Sequence, residues 1–225
     1  MDPTRSVTDR HAQYGDGVTE PARNVVATAI TDPEWLRRQV DLTAQLYRTR
    51  RRELAATLWW YSASAVLVAA PVRSLHTRGS AADPSLASTV LRVLPNGVLL
   101  GTRPLGPPGQ LTDPVVVGRA LGDPLGQVIR AVLAAGAPNE RALWALATDA
   151  LANQVLWCGA GPALAARLAD GIGPALPRPR FVEVNGRPFV RRASCCLIYL
   201  TPGNDKCVSC PRQPPSERLA RLAAV

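Results

Sequence analysis

The chain has few of the residues that most catalytic and binding sites are built from. Its 225 residues include two histidines, one methionine, two phenylalanines and a single lysine, Lys206. His11 and His76 lie far apart and far from the cysteine-rich end, which argues against a Rieske-type centre with two imidazole ligands. There is no P-loop, coiled coil, internal repeat or flavin motif, and Gly171-Ile172-Gly173-Pro174 does not extend into a dinucleotide fingerprint. The sequence thus offers no sign of a nucleotide or flavin reservoir of its own. Basic residues outnumber acidic ones 26 to 17, a net charge of +9. That surplus is scattered apart from Arg48-Thr49-Arg50-Arg51-Arg52 and Arg191-Arg192, and it is not interleaved with aromatics. Scattered charge reads as solvated surface, so no nucleic-acid partner is expected.

Long apolar runs are also scarce. Leu54 to Ala70 is 17 residues without a charge, at the lower edge of a membrane span, and it is diluted by Thr57, Ser62 and Ser64. Trp59, Trp60 and Tyr61 sit inside it and not at its ends, against the interfacial habit of these side chains. The segment reads as a buried helix, so no transmembrane span is expected; peripheral membrane association stays open. The start Met1-Asp2-Pro3-Thr4-Arg5-Ser6 has no apolar signal core, which points to a reducing, cytoplasmic compartment.

What the chain does have is 47% hydrophobic residues, enough for a substantial core, and five cysteines. Four of them fall near the C-terminus as Cys195-Cys196, ten intervening residues, then Cys207-Val208-Ser209-Cys210-Pro211. Thr201-Pro202-Gly203-Asn204-Asp205 between the pairs is strong turn chemistry, so the chain can fold back and bring four thiols to one centre. Successive side chains on a strand point to opposite faces, so the backbone must kink at Cys195-Cys196 if both are to bind one group. An iron-sulfur cluster, a structural zinc ion and a pair of disulfides all draw on such thiols. Zinc sites usually use spaced pairs, which a vicinal pair matches poorly, and a reducing compartment disfavours disulfides. Cys158, beside Trp157 in an apolar helical run, reads as a small buried hydrophobe.

The run Arg191 to Tyr199 with Cys207-Val208-Ser209-Cys210-Pro211 resembles the C-terminal segment of the FhuF-like ferric-siderophore reductases, over about a tenth of the chain. In that family C-C-x10-C-x2-C ligates a [2Fe-2S] cluster. The resemblance implies Cys195, Cys196, Cys207 and Cys210 as ligands, with no catalytic residue beyond the cluster, and a ferric siderophore as electron acceptor. An external donor, a ferredoxin or a flavin reductase, then has to supply the electron. Arg191, Arg192 and Lys206 could offset the thiolate charge and raise the potential, or could simply decorate an exposed strand; Tyr199 is a further neighbour. Two rival readings remain: a zinc-stapled protein that binds nucleic acid or an acidic partner, and an iron-sulfur redox sensor.

The expected fold is α+β, mainly helical: a helical body with two short β-hairpins and a C-terminal cysteine-ligated cluster module. Residues 1–22 read as a loose arm, 23–177 as the body, and 178–225 as a hairpin plus the [2Fe-2S]-binding module. Thr31 and Glu34 fit a capping box for the first helix, whose inward stripe is Leu36, Val40, Thr43 and Tyr47. A second helix runs from about Glu53 to Ala70, stopped by Pro71. A hairpin spans 89–100 around Pro95-Asn96-Gly97, and 101–114 is a Gly/Pro loop. Helices follow from Asp123-Pro124, from about Pro138 to Cys158, and from about Pro162 to Ala169. Trp144 and Trp157 on the second of these read as core, with a role along an electron route or in a chelate pocket as the alternative. A second hairpin turns at Asn185-Gly186, and Ser216 to Ala224 closes the chain as a short helix.

Overall fold

The computed structural model describes residues 21–107 and 109–225. The arm expected over 1–22 lies outside the described residues apart from Pro21 and Ala22, as does His11. The fold is α+β and mainly helical, with six α-helices and two small antiparallel sheets among the described residues.

Strand β1 (Arg23–Val26) leads through a 3-10 turn to helix α1 (Pro33–Leu46). The cap of α1 is Asp32 and not Thr31: the Asp32 carboxylate accepts from the Trp35 backbone N–H at 2.6 Å, and Pro33 takes the first helical position. Leu36, Val40 and Thr43 are buried along its inner face.

Helix α2 (Arg52–Arg78) passes straight through Pro71 and ends at Gly79, whose φ of 73° is left-handed. An interior proline costs about 3 kcal/mol in an isolated helix. Here Pro71, Val72 and Leu75 continue the buried face, and that burial outweighs the lost hydrogen bond. The helix is long and apolar enough to cross a membrane, but most of its apolar window is buried inside the fold, as befits a core helix.

Strands β2 (Thr89–Val93) and β3 (Leu99–Pro104) form the expected hairpin, and β1 adds on the other side of β2 to give the order β1-β2-β3. The first four residues of the Gly/Pro loop are thus strand. Helix α3 (Pro114–Ala134) also begins nine residues before the expected start at Asp123. Asp113 caps it, accepting from Val115 and Val116, and Pro124 is interior. Gly118 and Gly122 let α3 approach helix α5 (Pro162–Ile172): a Cβ at Gly118 would strike the Leu168 carbonyl, and one at Gly171 the Val115 carbonyl.

Helix α4 (Glu140–Trp157) is the central support. Its buried residues include Thr148 and Asp149, and it is tied to α2 by Trp60 Nε1 donating to the Leu143 carbonyl at 2.8 Å. Strands β4 (Phe181–Val184) and β5 (Arg187–Val190) pair around Asn185-Gly186, both at positive φ, and β5 packs on α4. Helix α6 (Pro215–Ala223) closes the chain and buries Leu222. Cys158 caps the C-terminal end of α4 half-buried, its thiol directed at the Val155 carbonyl, so it is less enclosed than a core hydrophobe.

Candidate metal centre

The chain leaves β5 at Val190, bends at Ala193-Ser194, and turns left-handed at Leu197, where φ is 65°. The kink expected at Cys195-Cys196 is thus replaced by a bend just before the pair and a left-handed residue just after it. A 3-10 turn at Ile198–Leu200 follows, held by Thr201 Oγ1 donating to the Ile198 carbonyl at 2.6 Å, and the chain then reverses. Cys207-Val208-Ser209-Cys210 closes as a tight turn, with the Cys210 N–H donating to the Cys207 carbonyl at 2.9 Å. Gln213, buried, donates from Nε2 to the same carbonyl and braces the turn.

The reversal brings the two pairs together. The Cys195 and Cys210 sulfurs lie 3.6 Å apart, and all five cysteines of the chain are free thiols. Metal-sulfur bonds of about 2.3 Å in tetrahedral geometry separate two sulfurs on one ion by about 3.8 Å, so this spacing suits two thiolates sharing a metal. Cys196 and Cys210 are buried, while Cys195 and Cys207 are half-buried. Among the described residues no group of three or more His, Cys, Asp or Glu side chains is already arranged as a metal cage.

Arg191 and Arg192 part company. Arg191 is exposed, on the strand edge, with its backbone N–H donating to the Arg180 carbonyl. Arg192 is 6% exposed and lies under the cysteine loop. Its Nη1 donates to Cys207 Sγ at 3.3 Å, its guanidinium stacks over the Tyr61 ring at 5.3 Å, and its Nε reaches Asp149 at 3.2 Å. Its Nη2 is buried without an acceptor among the described residues. A buried guanidinium donor left unpaired is costly, and a sulfur of a bound cluster is an acceptor that suits it. Lys206 lies over the Tyr199 ring at 5.8 Å and donates to the Arg212 carbonyl, on the outer side of the loop.

Asp149 was not apparent from sequence. It is 2% exposed, on α4, and its carboxylate accepts from the Ala193 N–H at 2.7 Å and the Ser194 N–H at 3.2 Å as well as from Arg192. It thereby anchors the three residues that precede the vicinal cysteines. The signal that could have found it is a lone carboxylate inside the apolar run Leu143 to Val155. Burial pushes the Asp149 carboxyl above its ordinary range, against the downward pull of Arg192 and the two backbone amides. Burial also opposes the Arg192 charge, but the negative partners Cys196, Tyr61, Asp149 and Cys207 carry its pKa well above the usual value.

The same positive charge polarises the thiols. Cys196 is lowered to about 5, first by the hydrogen bond from Cys195 and then by Arg192; Cys195, as donor, is raised. Cys207 is raised by burial, with Arg192 pulling the other way. A buried cation in contact with Cys207 and interacting with Cys196 suits a thiolate-ligated redox centre whose negative charge needs an internal counterion.

The arrangement therefore defines a cysteine-rich module at the C-terminal end of an α+β fold. Residues 192–212 match the FhuF 2Fe-2S C-terminal domain, and Cys195, Cys196, Cys207 and Cys210 fit its pattern. That match covers 21 of the 225 residues and indicates a [2Fe-2S] cluster as cofactor. No curated protein matches the chain.

Proposed function

We propose that the protein is a ferric-siderophore reductase, with Cys195, Cys196, Cys207 and Cys210 as the four ligands of a [2Fe-2S] cluster. The observation that carries this reading is Arg192, a buried cation that touches Cys207 and keeps one donor free beneath the cysteine loop. When bound, the cluster supplies single electrons to an Fe(III) chelate, whose iron becomes Fe(II), and an external one-electron donor replaces each electron. Siderophores hold Fe(III) through hard oxygen donors, and Fe(II) is bound far less tightly, so reduction is release.

The protein's own residues do the rest. Asp149 fixes the backbone before Cys195, Gln213 braces the Cys207 turn, and Arg192 balances the thiolate charge. A ferredoxin or flavin reductase in the cytoplasm fits the missing nucleotide signature. Residues 178–225 form the cluster-holding module and 23–177 the body that supports it.

The test is an anaerobic preparation, read first by its visible spectrum and metal content. A coloured protein with two irons and two sulfides per chain, which after reduction by dithionite delivers Fe(II) from a ferric tris-hydroxamate to a ferrous trap, supports the proposal. A colourless protein holding one zinc overturns it in favour of a zinc-stapled binding protein. A coloured protein that leaves ferric chelates untouched overturns the reductase step and favours a redox sensor.

A further inference from the structure

Trp157, read from sequence as core with a pocket role as the alternative, is half-buried, and it lines a cavity of about 400 Å³ that reaches the cysteine module. The other walls come from Asn153, one turn beyond Asp149 on α4, from Arg187 and Phe189 on β5, and from Ser209. Ser209 lies between Cys207 and Cys210, so a molecule in this cavity sits against the turn that carries two of the four thiols. Cavities elsewhere carry more arginine, such as the one of about 380 Å³ lined by Arg73, Arg78 and Arg103, but none of their linings includes a residue of the cysteine loop.

We infer that this cavity is the docking site for the metal-bearing end of an oxygen-donor chelate of a trivalent ion, neutral or anionic in net charge. The inference rests on the reductase reading above and adds the place and the charge preference to it. The cavity size falls within the roughly 300–1,000 Å³ of small-molecule sites. Trp157 and Phe189 offer flat apolar walls for the aromatic or hydroxamate arms. Asn153 and Ser209 are neutral hydrogen-bonding groups, and none of the lining side chains is acidic. Arg187 is the cation of the site. Its guanidinium lies 5.8 Å from the Phe189 ring centroid and gives one Nη1 bond to the Val225 oxygen at 3.2 Å. Among the described residues its other N–H donors have no partner and remain for a ligand. A positively charged chelate would be repelled by this guanidinium, and no acidic side chain lines the cavity to attract it.

Gallium(III) chelates match the charge of ferric ones and are redox-silent, so binding can be read apart from turnover. The cluster-loaded protein is titrated calorimetrically with a trianionic gallium tris-catecholate and with a neutral gallium tris-hydroxamate. Arg187→Glu is expected to weaken the anionic probe at least about tenfold and the neutral one by less than about threefold. Trp157→Ala is expected to weaken both, and Arg103→Glu in the distant cavity to change neither by more than long-range charge allows. Arg187 is exposed, so its variant is expected to fold; retained visible absorption and circular dichroism check this. If both probes bind Arg187→Glu and Trp157→Ala as tightly as the parent, or respond to Arg103→Glu instead, the site is wrong even where ferric chelates are reduced. If the probes follow the prediction but the matching ferric chelates are not reduced, the site stands and the reductase reading falls.

Discussion

Removal of the Asp149 carboxylate should loosen the cysteine loop more than any other single change outside the cysteines. In Asp149→Ala three donors lose their acceptor: Arg192 Nε and the backbone N–H groups of Ala193 and Ser194. Breaking a buried ion pair from one side costs about 3–5 kcal/mol, because the surviving charge stays desolvated. Both partners are nearly inaccessible, with side chains 3% and 2% exposed, so little of this is lost to solvent screening. Against a total stability of about 5–15 kcal/mol the change is severe. For a chain of this size each kcal/mol moves the melting temperature by roughly 2–4 °C, so a drop on the order of 10 °C is expected. Thermal melts of the anaerobic holoprotein by far-ultraviolet circular dichroism measure it. The same substitution in a Cys196→Ser background separates loss of the ion pair from loss of the cluster. The double variant Asp149→Leu, Arg192→Met removes both charges and should cost clearly less than the sum of the singles, by about 1–3 kcal/mol. Additivity within about 0.5 kcal/mol, or a melt within about 2 °C of the parent for Asp149→Ala, would refute the anchor.

The remaining predictions concern the cluster, its potential, its donor and the acid limb. Serine at Cys195, Cys196, Cys207 or Cys210 should deplete the visible chromophore, while Cys158→Ser keeps it; bleaching by Cys158→Ser alone would overturn the ligand set. Arg192→Gln should lower the midpoint potential by tens of millivolts, since about 59 mV is a tenfold shift for one electron and the reduced centre is more negative. Arg191→Gln, on the exposed edge, should move it much less, and equal shifts for the two would contradict the burial difference. NADPH alone should not reduce the protein, whereas a ferredoxin or flavin reductase should; bleaching by NADPH without a partner would sink the external-donor step. Asp113 is held below the ordinary carboxyl range by the Val116 amide first, then by Val115 and Arg167. Its contribution to stability is therefore present above the ordinary carboxyl pKa and is lost as the pH falls through its lower folded value. Melts of the parent and Asp113→Asn should differ at neutral pH and converge in acid; a gap that stays constant to low pH would remove Asp113 from the acid limb.

The cluster chemistry was legible in the chain itself, because a vicinal pair, a turn-rich decapeptide and C-x2-C specify four thiols within one short loop. Local rules also placed the Asn185-Gly186 hairpin, where both turn residues need positive φ, and most helix cores, where apolar residues recur at three or four positions. Local rules failed where tertiary burial opposed propensity. Pro71 reads as a stop and Asp123-Pro124 as a start, yet both helices run through their proline because the residues on either side belong to the core. Gly118 drew no reading from sequence, yet it is the place where two backbones meet. Strand β1 carries no strong pattern of its own, and its pairing with β2 depends on an edge more than sixty residues away.

The charge partner of the site was likewise invisible. Sequence puts Arg191 and Arg192 side by side and Asp149 more than forty residues earlier, inside an apolar helix. Only the packing of the terminal hairpin against α4 turns Arg192 inward, onto Asp149, Tyr61 and Cys207, and leaves Arg191 in solvent. A one-residue step along an extended chain reverses the side-chain direction, and which of the two faces is buried is decided by what packs there. The chain alone thus specified four thiols that fit a [2Fe-2S] pattern, because their spacing is covalent and local. The counterion, its anchor and the cavity beside them belong to the tertiary structure, because desolvation and distance exist only once the helices are in place.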